Sequence, residues 1–300
     1  MRKTLVCIVG PTAIGKTAVG IELAQGFGTV VLSADSRQFY REMNIGTAKP
    51  SQEELTVVPH YFIDSLSIAD DYSAGDFERD ALIVLEAMFA WHDVVILVGG
   101  SGLFVDAVCR GLDDLPGPMP GVRERLNELH KDQGLEYMQD MLQRIDPIYY
   151  SEVDIHNPQR VIRALEVYES TGKPFSHFRQ QKRAQRDFDI LKIGLEMDRQ
   201  LLYERINSRV DAMMEAGLLE EVKTLLPYRH RPPLLTVGYA ELFDYLDGTY
   251  TLERAVDKIK QNTRRYAKRQ FTWFRKDTST HWFNPDDVSN IIEWIDKRRL

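Results

Sequence analysis

Three hundred residues, 43% of them hydrophobic, can bury a large core and correspond to one large domain or one and a half. Two cysteines, Cys7 and Cys109, give no disulfide framework and no metal-ligand spacing, which favours a reducing, intracellular setting. The net charge of −7 argues mildly against nucleic acid, no apolar run approaches a membrane-crossing helix, and the apolar stretch after Met1-Arg2-Lys3 is too short for a signal peptide; a soluble, cytoplasmic protein is expected.

The first apolar run, Leu5-Val6-Cys7-Ile8-Val9, reads as a strand buried on both faces of a parallel sheet. It enters Gly10-Pro11-Thr12-Ala13-Ile14-Gly15-Lys16-Thr17, after which Val19, Leu23 and Ala24 fall at helical spacing. Strand, glycine-bracketed loop and helix form the context in which G-x-x-x-x-G-K-[ST] is a phosphate cradle. Backbone N–H groups turn inward and the new helix adds its positive end. Lys16 supplies a mobile cation, and the Thr17 hydroxyl is placed to hold Mg2+. This stretch binds a di- or triphosphate.

A second strand, Val30-Val31-Leu32-Ser33, leads into Ala34-Asp35-Ser36-Arg37-Gln38. Ligands of open parallel sheets bind beyond the carboxyl ends of strands, so Asp35 should face the phosphate loop across the crevice. It is a general base, a magnesium partner or a helix N-cap, and the residues alone leave these open. Gly46-Thr47-Ala48-Lys49-Pro50-Ser51 is a polar turn, and His60, without a partner, reads as structural. Residues 73–91 form an amphipathic helix with Phe77, Ala81, Val84, Leu85 and Met88 on one side. Val94-Val95-Ile96-Leu97-Val98 is another buried strand, ending in Gly99-Gly100-Ser101-Gly102-Leu103. A P-loop ATPase usually places an acid at such a strand end. Here glycines imply close backbone approach to a substrate, and Ser101 is a candidate ligand to it.

The break Pro116-Gly117-Pro118-Met119-Pro120-Gly121 marks a boundary, beyond which helices dominate. Gly134 interrupts the first of these and Asp146-Pro147 stops it. Asn157-Pro158 starts another, which carries Arg160 and Arg163 on one face and ends at Gly172-Lys173-Pro174. Residues 115–187 read as a helical insertion, and residues 188–196 resume the sheet. Asp198 caps a helix carrying Arg205 and Arg209, closed by Gly217. Thr251 caps a last long helix running through Arg275. From Arg254 to Lys276 nine basic residues face one acid, Asp257, and Arg179, Lys182, Arg183 and Arg186 form a second basic run. Localised basic faces on an acidic chain suit a docked polyanion. Phe271 and Trp273 among these cations suit base stacking as well as core packing.

Seven stretches together identify a resemblance that spans nearly the whole chain in order. They are the Gly10 to Thr17 loop, Ser33-Ala34-Asp35-Ser36-Arg37-Gln38, Gly46-Thr47-Ala48-Lys49-Pro50, Val98-Gly99-Gly100-Ser101-Gly102-Leu103, Asn157-Pro158-Gln159-Arg160, Val237-Gly238-Tyr239 and Lys268-Arg269-Gln270-Phe271-Thr272-Trp273. The chain resembles the tRNA dimethylallyltransferases, the IPP transferase family. That resemblance implies a P-loop three-layer α/β fold with a mainly parallel sheet, in which 1–114 and 188–300 form the catalytic core and 115–187 a helical insertion contacting tRNA. It implies transfer of a dimethylallyl group from dimethylallyl diphosphate to N6 of the adenine 3′ of the anticodon, in tRNAs reading codons that begin with U.

The loop from Gly10 to Thr17 would then bind the donor diphosphate, with Thr17 on Mg2+. Asp35 would accept the N6 proton, and Ser101 would help hold the base. Lys16 and Arg209, chosen over Arg205 by family pattern, would neutralise the departing diphosphate. The anticodon stem-loop would meet Asp35, Ser36, Arg37, Gln38 and Ser101 around the base. It would meet Arg123, Gln159, Arg160, Val161, Ile162 and Arg163 in the insertion, and Lys268, Arg269, Gln270 and Arg275 on the basic helix. A monomer that does not engage membranes is expected. The family usually has Thr at Ser101, Tyr at Phe104 and a basic residue at Ala240, so the hydroxyl survives while one tRNA contact is missing. The rival is a P-loop nucleotide or small-metabolite kinase, which leaves both basic runs unexplained.

Overall fold

The structure, a computed structural model, describes residues 2–117, 119–179 and 184–299. Pro118 of the proline-rich break and Lys182 and Arg183 of the second basic run lie outside the described residues. The chain forms two compact units, Met1–Arg110 with Gln185–Leu300, and Gly111–Ala184. Among the described residues no helix is long and apolar enough to cross a membrane.

The first unit is built on six strands: β1 (Thr4–Val9), β2 (Val31–Ser33), β3 (His60–Tyr61), β4 (Val94–Gly99), β5 (Asp189–Leu195) and β6 (His281–Phe283). They pair in parallel in the order β3-β2-β4-β1-β5-β6. β1 is matched to β4 from Thr4↔Val94 to Val9↔Gly99 and to β5 from Thr4↔Asp189. Both β1 and β4 are apolar at nearly every position because both faces are covered. One face packs α3 (Ala74–Phe89) and α4 (Gly102–Arg110) through Phe77, Leu85, Val105 and Val108. The other packs α1 (Lys16–Gly26) and α9 (Arg199–Glu215) through Val19, Leu23, Leu202 and Ile206. The short α2 (Gln52–Val57) follows the polar turn. From β1 the chain moves outward past β4 to β2, and after β4 it returns to β5 on the opposite side. That reversal opens a crevice at the carboxyl ends of β1 and β4, where parallel sheets bind ligands.

Ser73 caps α3 in a full capping box with Asp76. The Asp198 carboxylate accepts from Gln200 and Leu201 N at 2.8 and 3.1 Å to start α9. Beyond it lie α10 (Leu218–Thr224) and α11 (Tyr239–Leu246), then α12 (Leu252–Phe274), capped by Thr251. This is not the last element: β6 and α13 (Val288–Arg299) follow, and α13 buries Val288, Ile291 and Ile295 in the core that α1 shares. A strand of three residues is too short to show a period, which is why the sheet's sixth member escaped notice.

The second unit contains α5 (Val122–Ile145), α6 (Pro147–Glu152), α7 (Pro158–Thr171) and α8 (Phe175–Phe178) around Leu126, Met138, Leu142, Leu165 and Phe175. Gly134, at φ +82°, breaks the course of α5, and Gly172 ends α7 at φ +73°. Several residues expected at a tRNA surface are instead structural. Val161 and Ile162 are buried in this unit's core, because they fill the inward face of α7. Arg123 and Arg163 both engage the buried Glu166, at 2.7 and 2.6 Å, and Arg163 also reaches the Pro116 carbonyl. Burying Glu166 requires such partners, so these two half-buried guanidiniums are tied up in neutralising it. Gln159 and Arg160, by contrast, are exposed.

Candidate active site

α1 begins at Lys16 with Gly15 as its N-cap, at φ +108°, where an L side chain is strained. No side chain caps it and its first turn holds no acid, so its leading N–H groups remain open to an anion. Lys16 Nζ donates to the Pro11 carbonyl at 2.8 Å. Burial pushes the Lys16 ammonium down to about 8; Asp35 opposes the shift and Arg209 adds to it. Around this loop opens a cleft of about 540 Å³ lined by Lys16, Thr17, Asp35, Thr47, Gly100, Arg205 and Arg209, among others.

Both Arg205 and Arg209 of α9 therefore line the cleft. The Arg209 guanidinium is lowered by burial, with Asp35 opposing and Arg205 adding. Neither arginine has a hydrogen-bond or ion-pair partner among the described residues. Arg209 is partly buried and unpaired, and with the exposed Arg205 beside it the cleft has an unmet demand for an anionic ligand.

A second cavity, about 170 Å³, shares Thr12, Ala13, Asp35, Thr47 and Arg209 with the first. Its remaining wall is mostly apolar, with Ile206, Val210, Met213, Leu218, Val237 and Ile259, and Tyr266 adds a phenol. Asp35 thus stands where a cationic cleft meets an apolar pocket. It is no helix cap, since turns and not a helix follow it. Its Oδ1 accepts from Arg37 N at 3.1 Å, which fixes the carboxylate in a local turn.

The Ser101 hydroxyl lies 3.1 Å from both the N and Oγ of Ser36, tying the end of β4 to the Asp35 turn. Gln38 lines the cleft but is largely buried; its amide donates to the Thr47 and Ala48 carbonyls at 3.3 and 3.2 Å. It sets the position of the polar turn and presents little surface to a macromolecule. Glu221, which the sequence reading passed over, holds that turn from the other side. Its carboxylate accepts from the backbone N of Asn44, Ile45 and Gly46 at 3.0, 2.7 and 3.1 Å and from the Tyr239 hydroxyl at 2.6 Å.

Tyr266 was also missed, although Ile259, Thr263 and Tyr266 recur at helical spacing on α12 and line one side of the second cavity. Burial raises the Tyr266 hydroxyl to about 12, with Asp35 adding and Arg37, Arg269 and a Ser101 hydrogen bond opposing. It stays protonated at neutral pH and can donate.

On the other side of α12, Lys268 and Arg269 are exposed, with Arg269 lying over the Tyr266 ring at 5.7 Å. Arg275 pairs with Glu196 at 2.8 Å and stacks on Phe271 and Trp282, so it anchors the helix end. Gln270 is buried and engaged at both ends of its amide, which removes it from any outer surface. The Trp273 indole N–H donates to Asp106 at 2.9 Å, and the half-buried Phe271 packs against the core.

Among the described residues no group of three or more His, Cys, Asp and Glu could hold a metal. Thr17 and Asp35 both line the cleft, which fits a magnesium ion shared with ligand phosphates and water, the usual manner of binding this ion.

A family model described as IPP transferase matches residues 38–277, a span that leaves the phosphate loop and Asp35 upstream. A tRNA dimethylallyltransferase of Christiangramia forsetii is 50% identical over 99% of each chain. One of Bacteroides thetaiotaomicron is 48% identical over 99% of this chain and 96% of its own. Among solved structures, a tRNA isopentenylpyrophosphate transferase from Bacillus halodurans superposes with a TM-score of 0.72 at 38% identity, covering 99% of this chain and 96% of that one. A eukaryotic dimethylallyltransferase acting on tRNA superposes with a TM-score of 0.78 at 26% identity, over 96% of this chain and 75% of that one.

Proposed function

This chain belongs to the IPP transferase family, and from that premise we propose that it transfers a dimethylallyl group from dimethylallyl diphosphate to N6 of the adenine 3′ of the anticodon in tRNAs reading U-starting codons. The observation that carries this reading is the position of Asp35, shared by the cation-lined cleft and the apolar-walled pocket.

The diphosphate sits on the open N–H groups at the start of α1, with Lys16, Arg205 and Arg209 around it. Thr17 would hold a magnesium ion, which would supply further neutralisation of the leaving group. The N6 lone pair is delocalised into the adenine ring, so attack needs the proton removed as the new bond forms. Asp35 takes that proton. The N6–C1 bond forms, the C1–O bond breaks, and its electron pair leaves with the diphosphate, whose growing charge the three cations meet. The base reaches Asp35 only outside its stack, and Ser101 and Tyr266 offer hydroxyls to its edge. Lys268, Arg269, Gln159 and Arg160 are exposed cationic or polar groups available to the anticodon stem-loop.

A kinase reading is not favoured: the relatives that match over the full chain are tRNA dimethylallyltransferases, and a kinase leaves the exposed Lys268 and Arg269 unexplained. The test offers undermodified tRNA with radiolabelled dimethylallyl diphosphate or with labelled ATP. Label transferred to tRNA from the prenyl donor alone supports the proposal; turnover of ATP without prenyl transfer overturns it.

A further inference from the structure

The Lys268-Arg269-Gln270 stretch holds a residue whose surroundings do not match those of its neighbours. Gln270 is 6% exposed, and both atoms of its amide meet backbone far away in sequence. Its Oε1 accepts from Thr12 N at 2.8 Å and its Nε2 donates to the Gly100 carbonyl at 2.9 Å. Thr12 belongs to the phosphate loop, whereas Gly100 belongs to the loop after β4 that carries Ser101. One side chain therefore bridges the donor side and the acceptor side of the site.

The chemistry of the Pro11–Thr12 peptide sharpens this. Its N–H points to Gln270, and its carbonyl accepts from Lys16 at 2.8 Å. The same peptide plane is thus gripped on both edges, once by each residue. The Lys16 ammonium has three donors, one of them on the Pro11 carbonyl, and an incoming diphosphate competes for that group. Where the ligand draws Lys16 away, Gln270 is the group that keeps this peptide from rotating. Rotation would turn the Pro11 carbonyl, a partial negative charge, and the Thr12 N–H within the loop that receives the anion.

The glycines of the β4 loop show how closely α12 is fitted here. A Cβ at Gly100 would stand 2.4 Å from Gln270 Nε2 and 3.5 Å from Lys16 Nζ. A Cβ at Gly102 would stand 2.3 Å from the Trp273 ring. Only glycine lets the helix approach this far, so the two contacts are built together.

Resting on the diphosphate reading of the cleft, we infer that Gln270 is a positioning residue that fixes the Pro11–Thr12 peptide and the Gly100 carbonyl, holding the phosphate loop in its anion-binding form while Lys16 transfers to the ligand. It touches neither tRNA nor donor.

The test uses the full chain with Gln270→Met, which fills the same space without an amide, and Gln270→Glu. Binding of inorganic pyrophosphate is measured by calorimetry, with donor kcat and KM at saturating tRNA, the tRNA Kd and the melting temperature alongside. Two hydrogen bonds to backbone, each contributing about 3- to 10-fold, predict that Gln270→Met binds pyrophosphate about 10- to 100-fold more weakly, with tRNA Kd within about twofold. Gln270→Glu supplies a readout that packing alone does not move. Its ionised form cannot donate to the Gly100 carbonyl, but its protonated form restores the donor–acceptor pair. Pyrophosphate affinity of this variant, as a ratio to wild type, should therefore recover as pH falls from about 8 to about 5.5.

A ratio that stays flat with pH overturns the inference, as does a Gln270→Met protein with wild-type pyrophosphate binding. A tenfold loss of tRNA affinity with pyrophosphate binding intact overturns it too, by making Gln270 a tRNA contact. If the wild-type protein itself fails to bind pyrophosphate, the reading of the cleft is what falls.

Discussion

The Lys16 ammonium titrates within the range of ordinary assays, and its shift sets a signed expectation. Burial at the foot of the cleft brings it down to about 8, so the free protein loses this charge under mildly alkaline conditions. A diphosphate on the loop binds the protonated form, and its charge raises the ammonium again in the complex. Affinity for pyrophosphate should be level below about pH 7.5 and fall by nearly tenfold per unit above about 8. Between about pH 7 and pH 9 the protonated fraction drops from roughly nine-tenths to one-tenth, a loss of about tenfold in apparent affinity. Stability moves the other way. The folded pKa lies below the unfolded value of 10.5, so from about 8 to 10.5 the unfolded chain holds more protons and stability rises with pH. Calorimetric titration with pyrophosphate at several pH values reads the first effect, and denaturant melts read the second. Lys16→Arg is the control, since a guanidinium stays charged throughout and should flatten the binding profile. A wild-type affinity that does not change to about pH 9.5, or a Lys16→Arg protein that loses affinity in parallel with wild type, would refute the assignment of this charge to the anion.

Asp35→Asn keeps the acceptor for Arg37 N but not the base, so transfer should fall about 10²- to 10⁴-fold while tRNA Kd holds; a single-turnover rate above a tenth of wild type would leave Asp35 a turn residue only. Removing Lys268 and Arg269 together should reduce the slope of log tRNA affinity against log salt by about 1.4–1.8, at about 0.7–0.9 per phosphate contact. Arg275→Ala, losing a residue already paired with Glu196, should leave that slope unchanged in the same binding series. Glu221→Gln loses a carboxylate that three backbone N–H groups and a tyrosine share, which costs about 1–3 kcal/mol of stability by denaturant titration. Equal unfolding midpoints for the two proteins would show that Glu221 does not hold the polar turn.

What the sequence disclosed follows from the range over which each signal acts. The phosphate loop, the buried strands on either side of the crevice and the caps at Asn157, Asp198 and Thr251 are local patterns, and the structure has them where the residues put them. Placing Asp35 across from the loop needed one further rule, that ligands collect at the carboxyl ends of parallel strands. Residues whose role depends on a distant partner were misread or missed. Arg123 and Arg163 look like surface cations until Glu166 is seen buried between them, and Glu221 gives no sign in its own helix that it holds residues 44–46. Net charge was the least informative quantity of all, because an average of −7 says nothing about one helix face.

That helix shows why composition and function separate at single-residue resolution. Successive residues of an α-helix turn by about 100°, so three in a row cannot share an environment. In α12 Lys268 and Arg269 face outward, whereas Gln270 faces the Thr12 and Gly100 backbones. A reading by motif treats the three as one patch and assigns all of them to tRNA. By geometry they divide between an exposed cationic surface and an internal brace, joined by a single turn of rigid backbone. The proposed tRNA contacts and the proposed control of the phosphate loop therefore share one element, and any tilt of α12 alters both sites at once.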